Sequence, residues 1–205
     1  ISFNLVRSDF NELISIYSIG FTGLMLVYKF ANTKTIFWLL FGGLIIRLIM
    51  INLTPNLTND FFRFIWDGEM MKMGMLPYAK TPNDIISSSP EIFQNSELRA
   101  LYHGMGELSQ SNYSNYPPIN ELMFFIAAKL GDSFSSKLVI LRVMIILSDV
   151  GIVLVGLALL KRLQLPLKNI LFFALNPFII LEFTGNLHFE GVMMFFFLLS
   201  YFLYL

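Results

Sequence analysis

Three charged residues, Asp60, Arg63 and Asp67, fall within eight positions of the segment LTNDFFRFIWDGEMMKMGMLPYAKTP, in a chain that is otherwise oily. Taken as a helix over residues 60–75, with Thr58 or Asn59 as its N-cap, their side chains lie within an arc of roughly 60° at about 100° per residue. Phe61, Phe64, Ile65, Trp66 and Met71 cover most of the remaining surface. The pattern predicts a helix lying in a membrane interface with one narrow polar stripe, Trp66 sitting at headgroup level. Two chemistries fit the stripe. One is an Asp60–Arg63–Asp67 ion ladder that only solvates a face. The other makes one carboxylate a general base at the mouth of a membrane cavity. Asp60 is the candidate for it, because the positive end of the helix dipole favours an ionised carboxylate at the first turn.

Further charges lie inside apolar runs. Arg47, Arg142 and Asp149 each fall within a segment long enough to cross a bilayer. Such residues cost at least about 2.5–3.5 kcal/mol to insert and mark function by default. Arg47 paired with Asp149 across helices is one reading. Phosphate binding is the other, because the planar guanidinium fork makes paired, charge-assisted bonds to phosphate. Arg63 and Arg142 lead Arg47 as phosphate candidates, since Arg142 sits near a span end and can snorkel outward. His188 and Glu190, in GNLHFEG, are either a satisfied boundary turn or contacts to a bound ligand.

The elements that must position these residues follow from composition. Of 205 residues, 56% are apolar and 14% charged, and mean hydropathy is +0.66. A soluble domain carries about a quarter charged residues, so this is the balance of a polytopic membrane protein. Formal net charge is zero, which gives no basic surface for nucleic acid, and the absence of cysteine excludes thiol chemistry and disulfides. Spans are expected over residues 12–28, 35–53, 138–160, 168–183 and 191–205, the last cut short in a fragment of a longer chain, 1–205 forming one module. Residues 118–130 are too short to cross and contain Glu121, so they read as an interfacial helix. With the basic loops at Lys29 and Lys34 and at Lys161, Arg162 and Lys168 placed inside, residues 54–137 form a long external loop. Short helices are expected at its two ends, with irregular chain between. The fold class is an all-α, polytopic transmembrane bundle. On this topology Asp60 and His188 face the same side, and a common pocket at the outer leaflet is expected.

The segment TNDFFRFIWDGEMMKMGMLPYAKTPND resembles the first external loop of GT-C-type membrane glycosyltransferases, closest to bacterial polyprenyl-phosphate-sugar-dependent mannosyltransferase-like proteins. The resemblance continues through YHGM, YPPI and LNPFIILEFTGNLHFEG. It implies a GT-C-like fold and Asp60 as catalytic base. The family's first aspartate is Asn59 here, which undercuts a two-carboxylate metal site, so no metal or other cofactor is called for. Similar sequences carry Gly-His-x-Asp at the later motif, which favours His188 and Glu190 as substrate contacts beside Asp67, His103 and Tyr116. The implied reaction moves a sugar, mannose by resemblance, from a polyprenyl-phosphate donor to a hydroxyl of a glycan, lipid or protein acceptor, with inversion. The implied location is a bacterial inner membrane, with the site on the external side. A transporter or lipid-linked-sugar flippase is the alternative, and a non-catalytic assembly subunit a third reading.

Overall fold

A computed structural model describes residue 5 and residues 8–205. It is all-helical, with no strand among the described residues. The chain divides into two units, a flanking unit of Ile1–Leu57 with Arg142–Leu205 and a central unit of Thr58–Leu141.

The flanking unit contains α1 (Phe10–Phe30), α2 (Thr33–Ile49), most of α8 (Phe134–Arg162), α9 (Leu171–Ala174), α10 (Pro177–Ile179) and α11 (Glu190–Tyr204). Helices α1 and α8 are long and apolar enough to cross a membrane, and they contain the expected spans 12–28 and 138–160. Ile19, Phe30, Leu147 and Leu154 project outward uncovered, as suits helices that meet lipid. Helix α2 differs from the expectation. It stops at Ile49, after 17 residues, and at 1.5 Å per residue spans about 25 Å, less than a hydrocarbon core of about 30 Å. The expected span 168–183 is also interrupted. A 3-10 turn and α9 run to Ala174, Asn176 caps α10 through the Phe178 N–H, and Ile180–Gly185 forms a π turn. The two halves are bent by 41°, and only if counted as one do they make a third span. Pro177 lacks the N–H that would continue the helix through the bend.

Small residues set the crossings. A Cβ on Gly43 of α2 would lie 3.0 Å from the Ala174 carbonyl, and one on Gly20 of α1 would lie 2.7 Å from Pro177. Backbones approach this closely only where side chains are absent, the usual device of helix pairs without a hydrophobic drive between them.

The central unit contains α3 (Asp60–Lys72), α4 (Pro82–Ser88), α5 (Ser96–Gly104), α6 (Gly106–Ser111) and α7 (Pro118–Leu130), with a 3-10 turn at Pro90–Gln94. Helix α7 has the expected bounds. The middle of the expected loop is not irregular but helical, because its polar residues act as caps. Thr81 and Asp84 form a reciprocal capping box before α4, and the Asn95 side chain accepts from Glu97 and Leu98 N–H before α5. Helix α3 also departs from the interfacial expectation. Phe61, Arg63, Phe64, Ile65, Trp66, Asp67 and Met70 are all buried, so Arg63 and Asp67 of the polar stripe face protein, while Asp60 at its start is exposed. Trp66 is fully covered and lies against Tyr102. Helix α3 packs on α7 through Gly68, where a Cβ would stand 2.2 Å from the Phe124 carbonyl oxygen. Gly74, at φ +80°, ends the helical segment, a backbone state that glycine adopts without penalty.

Candidate functional site

The candidate residues are divided between the two units. In the central unit Asp60 is the first residue of α3, and its side chain is exposed. The Thr58 hydroxyl accepts a bond from its N–H at 3.2 Å. One turn on, Arg63 is buried. Its Nε donates to Asp67 Oδ1 at 2.7 Å, and its Nη1 donates to the carbonyls of Ser109 and Asn112 at 2.7 and 3.0 Å. Of the expected ladder, the buried Arg63–Asp67 step is the ion pair formed. Arg63 Nη2 is buried without a partner, as is Asp67 Oδ2.

A second carboxyl, Glu121 on α7, joins this cluster. The Ser114 hydroxyl donates to its Oε1, and its Oε2 has no donor. Burial, and then the charge of Asp67, pushes the Glu121 carboxyl up to about 8. Burial also pushes Asp67 upward, and Arg63 opposes it. Tyr116 stands edge-on to Phe64 at 5.0 Å and to Phe124 at 5.5 Å. Burial and the charge of Asp60 raise its phenol, so it stays a neutral hydroxyl. Tyr78 donates to the Tyr116 carbonyl at 2.7 Å. His103 lies on α5 with its ring stacked on Phe93 at 5.8 Å.

In the flanking unit Arg47 Nε donates to Asp149 Oδ2 at 2.7 Å, and Nη1 donates to the Gly43 and Ala174 carbonyls. The helix-to-helix pairing foreseen as one reading is therefore present. Arg47 Nη2 and Asp149 Oδ1 remain without a partner. A cavity of about 290 Å³ adjoins them, lined by Phe37, Phe41, Leu44 and Leu157 among others. Arg142 is fully buried, and each of its three nitrogens donates to a carbonyl, of Thr184, Ile51 and Gly185 at 2.8, 2.8 and 3.1 Å. Two of these carbonyls, Thr184 and Gly185, belong to the π turn and the third, Ile51, follows α2, so the structure uses Arg142 as a clamp between them.

Glu182, inside that turn, gathers a polar cluster that sequence reasoning missed. It accepts from the Tyr17 hydroxyl at 2.6 Å and from Asn186 Nδ2 at 3.1 Å, and lies 3.8 Å from His188 Nδ1. The sequence signal is a lone acid inside the apolar run FIILEFTG; its partner Tyr17 is 165 positions away. Glu190 is the exposed first residue of α11. Among the described residues no three His, Asp or Glu converge to hold a metal ion.

Residues 44–205 match the MptA_B family, described as alpha-(1->6)-mannopyranosyltransferase, N-terminal domain. No curated protein and no solved structure shows significant similarity to the chain.

Proposed function

Because the chain belongs to the MptA_B family of alpha-(1->6)-mannopyranosyltransferases, matched through its N-terminal domain, we propose that it transfers mannose from a polyprenyl-phosphate donor to an acceptor hydroxyl at the external membrane face. The observation that carries the reading is the first turn of α3. An exposed carboxylate, Asp60, stands three residues before a buried guanidinium, Arg63, that keeps one unspent donor, Nη2. Residues three apart share a helix face, so base and anion ligand project from the same side of one rigid element.

In this reaction the acceptor oxygen attacks the anomeric carbon. The new C–O bond forms as the bond from that carbon to the phosphate oxygen breaks, and inversion follows from the single displacement. The hydroxyl proton goes to the Asp60 carboxylate. The electron pair leaves with the lipid phosphate, whose growing charge Arg63 stabilises through Nη2. Asp60 suits the role because it is exposed at the first turn of α3, where an acceptor hydroxyl can reach it. Arg142 is fully buried, and each of its three nitrogens already donates to a backbone carbonyl. Arg47 retains Nη2 but faces an apolar cavity, so Arg63 is the better ligand.

The test is Asp60→Asn, inserted in membranes and assayed for release of labelled polyprenyl phosphate. Loss of a general base lowers the rate by about 10²–10⁴-fold. Wild-type turnover by a correctly inserted Asn variant would falsify the assignment.

A further inference from the structure

We propose that Asp67 and Glu121 share one proton, carried by Glu121, and that Glu121 is thereby a positioning residue for the Arg63 fork. The inference starts from the oxygens. Asp67 Oδ1 accepts from Arg63, and Glu121 Oε1 accepts from Ser114. Asp67 Oδ2 and Glu121 Oε2 are both buried and without a hydrogen-bond partner, the nearby Ser114 hydroxyl, which also reaches Asp67, being given to Glu121 Oε1, and the two carboxyls lie within hydrogen-bonding reach of each other. Two ionised carboxylates would leave both oxygens bare and facing like charge. A proton on Glu121 Oε2 fills both vacancies with one O–H···O bond, which is charge-assisted and short-range.

Charge balance points the same way. The groups facing Glu121 are Asp67 and Arg63 from α3, and Tyr78 and Tyr116 from the connecting segments, both of which stay neutral. Lys137 is taken by Glu69 and Glu97, and Lys72 pairs with Glu69. Arg63 alone compensates the two acids. With the proton present the trio is neutral; without it a net negative charge is buried, which protein interiors do not tolerate. Asp67 keeps the ionised role because Arg63 binds it directly.

The shared proton also has a mechanical consequence. Glu121 ties α7 to α3 through Asp67, and through Ser114 to the segment holding the Asn112 carbonyl that Arg63 Nη1 grips. Ionisation would drive the carboxyls apart and draw the guanidinium between them, turning Nη2 from its aim.

The activity part of the test rests on the transferase reading; the spectroscopic and stability parts do not. Infrared spectra of the whole protein at pH 7 should show the carbonyl stretch of a buried neutral carboxylic acid. The band should disappear as pH rises through about 8 and be absent from Glu121→Gln but present in Asp60→Asn. Thermal stability should fall between about pH 4.5 and pH 8 and level off above, because over that window the folded chain holds a proton that the unfolded chain has lost. Glu121→Gln, whose amide can donate to Asp67 while its oxygen accepts from Ser114, should be flat there. Wild-type transfer should decline about tenfold from pH 7 to pH 9, as expected for one group titrating midway, and the decline should vanish in Glu121→Gln. Absence of the band in wild type overturns the proposal without any variant. So does a magnesium-induced rise in melting temperature lost in Glu121→Gln, which would mean the carboxylates hold a cation instead. Band and stability behaving as expected in a protein that transfers no mannose would leave the proton pair standing and remove the transferase.

Discussion

Among the described residues each unit of this chain buries one arginine–carboxylate pair, and the two are built almost atom for atom alike. In both, Nε meets an aspartate oxygen at 2.7 Å, Nη1 is divided between two backbone carbonyls, and Nη2 is left over. They differ in what surrounds the aspartate. Asp149 has Thr184 at 3.5 Å and no second acid. Asp67 has Glu121 beside it, a group able to gain or lose a proton near neutral pH. A buried ion pair is in itself weak evidence for stability or for chemistry. The lesson of the comparison is that the neighbour decides: the Arg63–Asp67 pair has a second acid beside it through which its charge can be adjusted.

The comparison breaks most visibly at Asp149. Asp149→Ala strands Arg47 in an apolar surround and should cost about 3–5 kcal/mol, seen as loss of folded protein from the membrane fraction. The double replacement Arg47→Met with Asp149→Leu should restore most of it, since apolar side chains of similar volume often replace a buried pair without loss. Asp67→Ala should cost less, about 2–3 kcal/mol by melting in detergent, because Glu121 can surrender its proton and become the anion Arg63 needs. An equal loss at the two aspartates would show that the neighbouring acid gives no relief. The smallest change is Thr184→Val, which removes only a long hydroxyl contact to Asp149 and should shift stability by about 0.5–1 kcal/mol.

How much of this the sequence disclosed depended on the range of the interaction. The Arg63–Asp67 pair is four residues apart on one helix and could be read directly, as could the limits of α7, where Pro118 opens and Gly131 follows the last residue. Arg47 and Asp149 could be matched because both are charges in oily runs, but the alternative of phosphate binding stood beside it until the geometry appeared. What failed was anything needing knowledge of what lies opposite. The stripe on α3 reads as the polar face of an interfacial helix, yet Arg63 and Asp67 are buried, Arg63 against the 109–114 segment, and Asp60 alone of the three is exposed. The capping pairs Thr81–Asp84 and Asn95–Leu98 were hidden in a stretch that looked like polar filler. Glu121 served only as a reason against crossing the membrane, since its partners lie on other elements. The bend between Ala174 and Ile180 was signalled by Asn176-Pro177, yet length and oiliness outweighed those two residues.

The grip of Arg142 on Thr184, Gly185 and Ile51 carries one more consequence. An interrupted helix is ordinarily a compliant joint, because loosened carbonyls let it flex. Here a single guanidinium rivets the loosened groups to one another, and the joint becomes a stiff knuckle. Rigidity at this bend is thus concentrated in one side chain, and exchanging it for lysine, with one ammonium in place of the fork, would return the knuckle to a hinge.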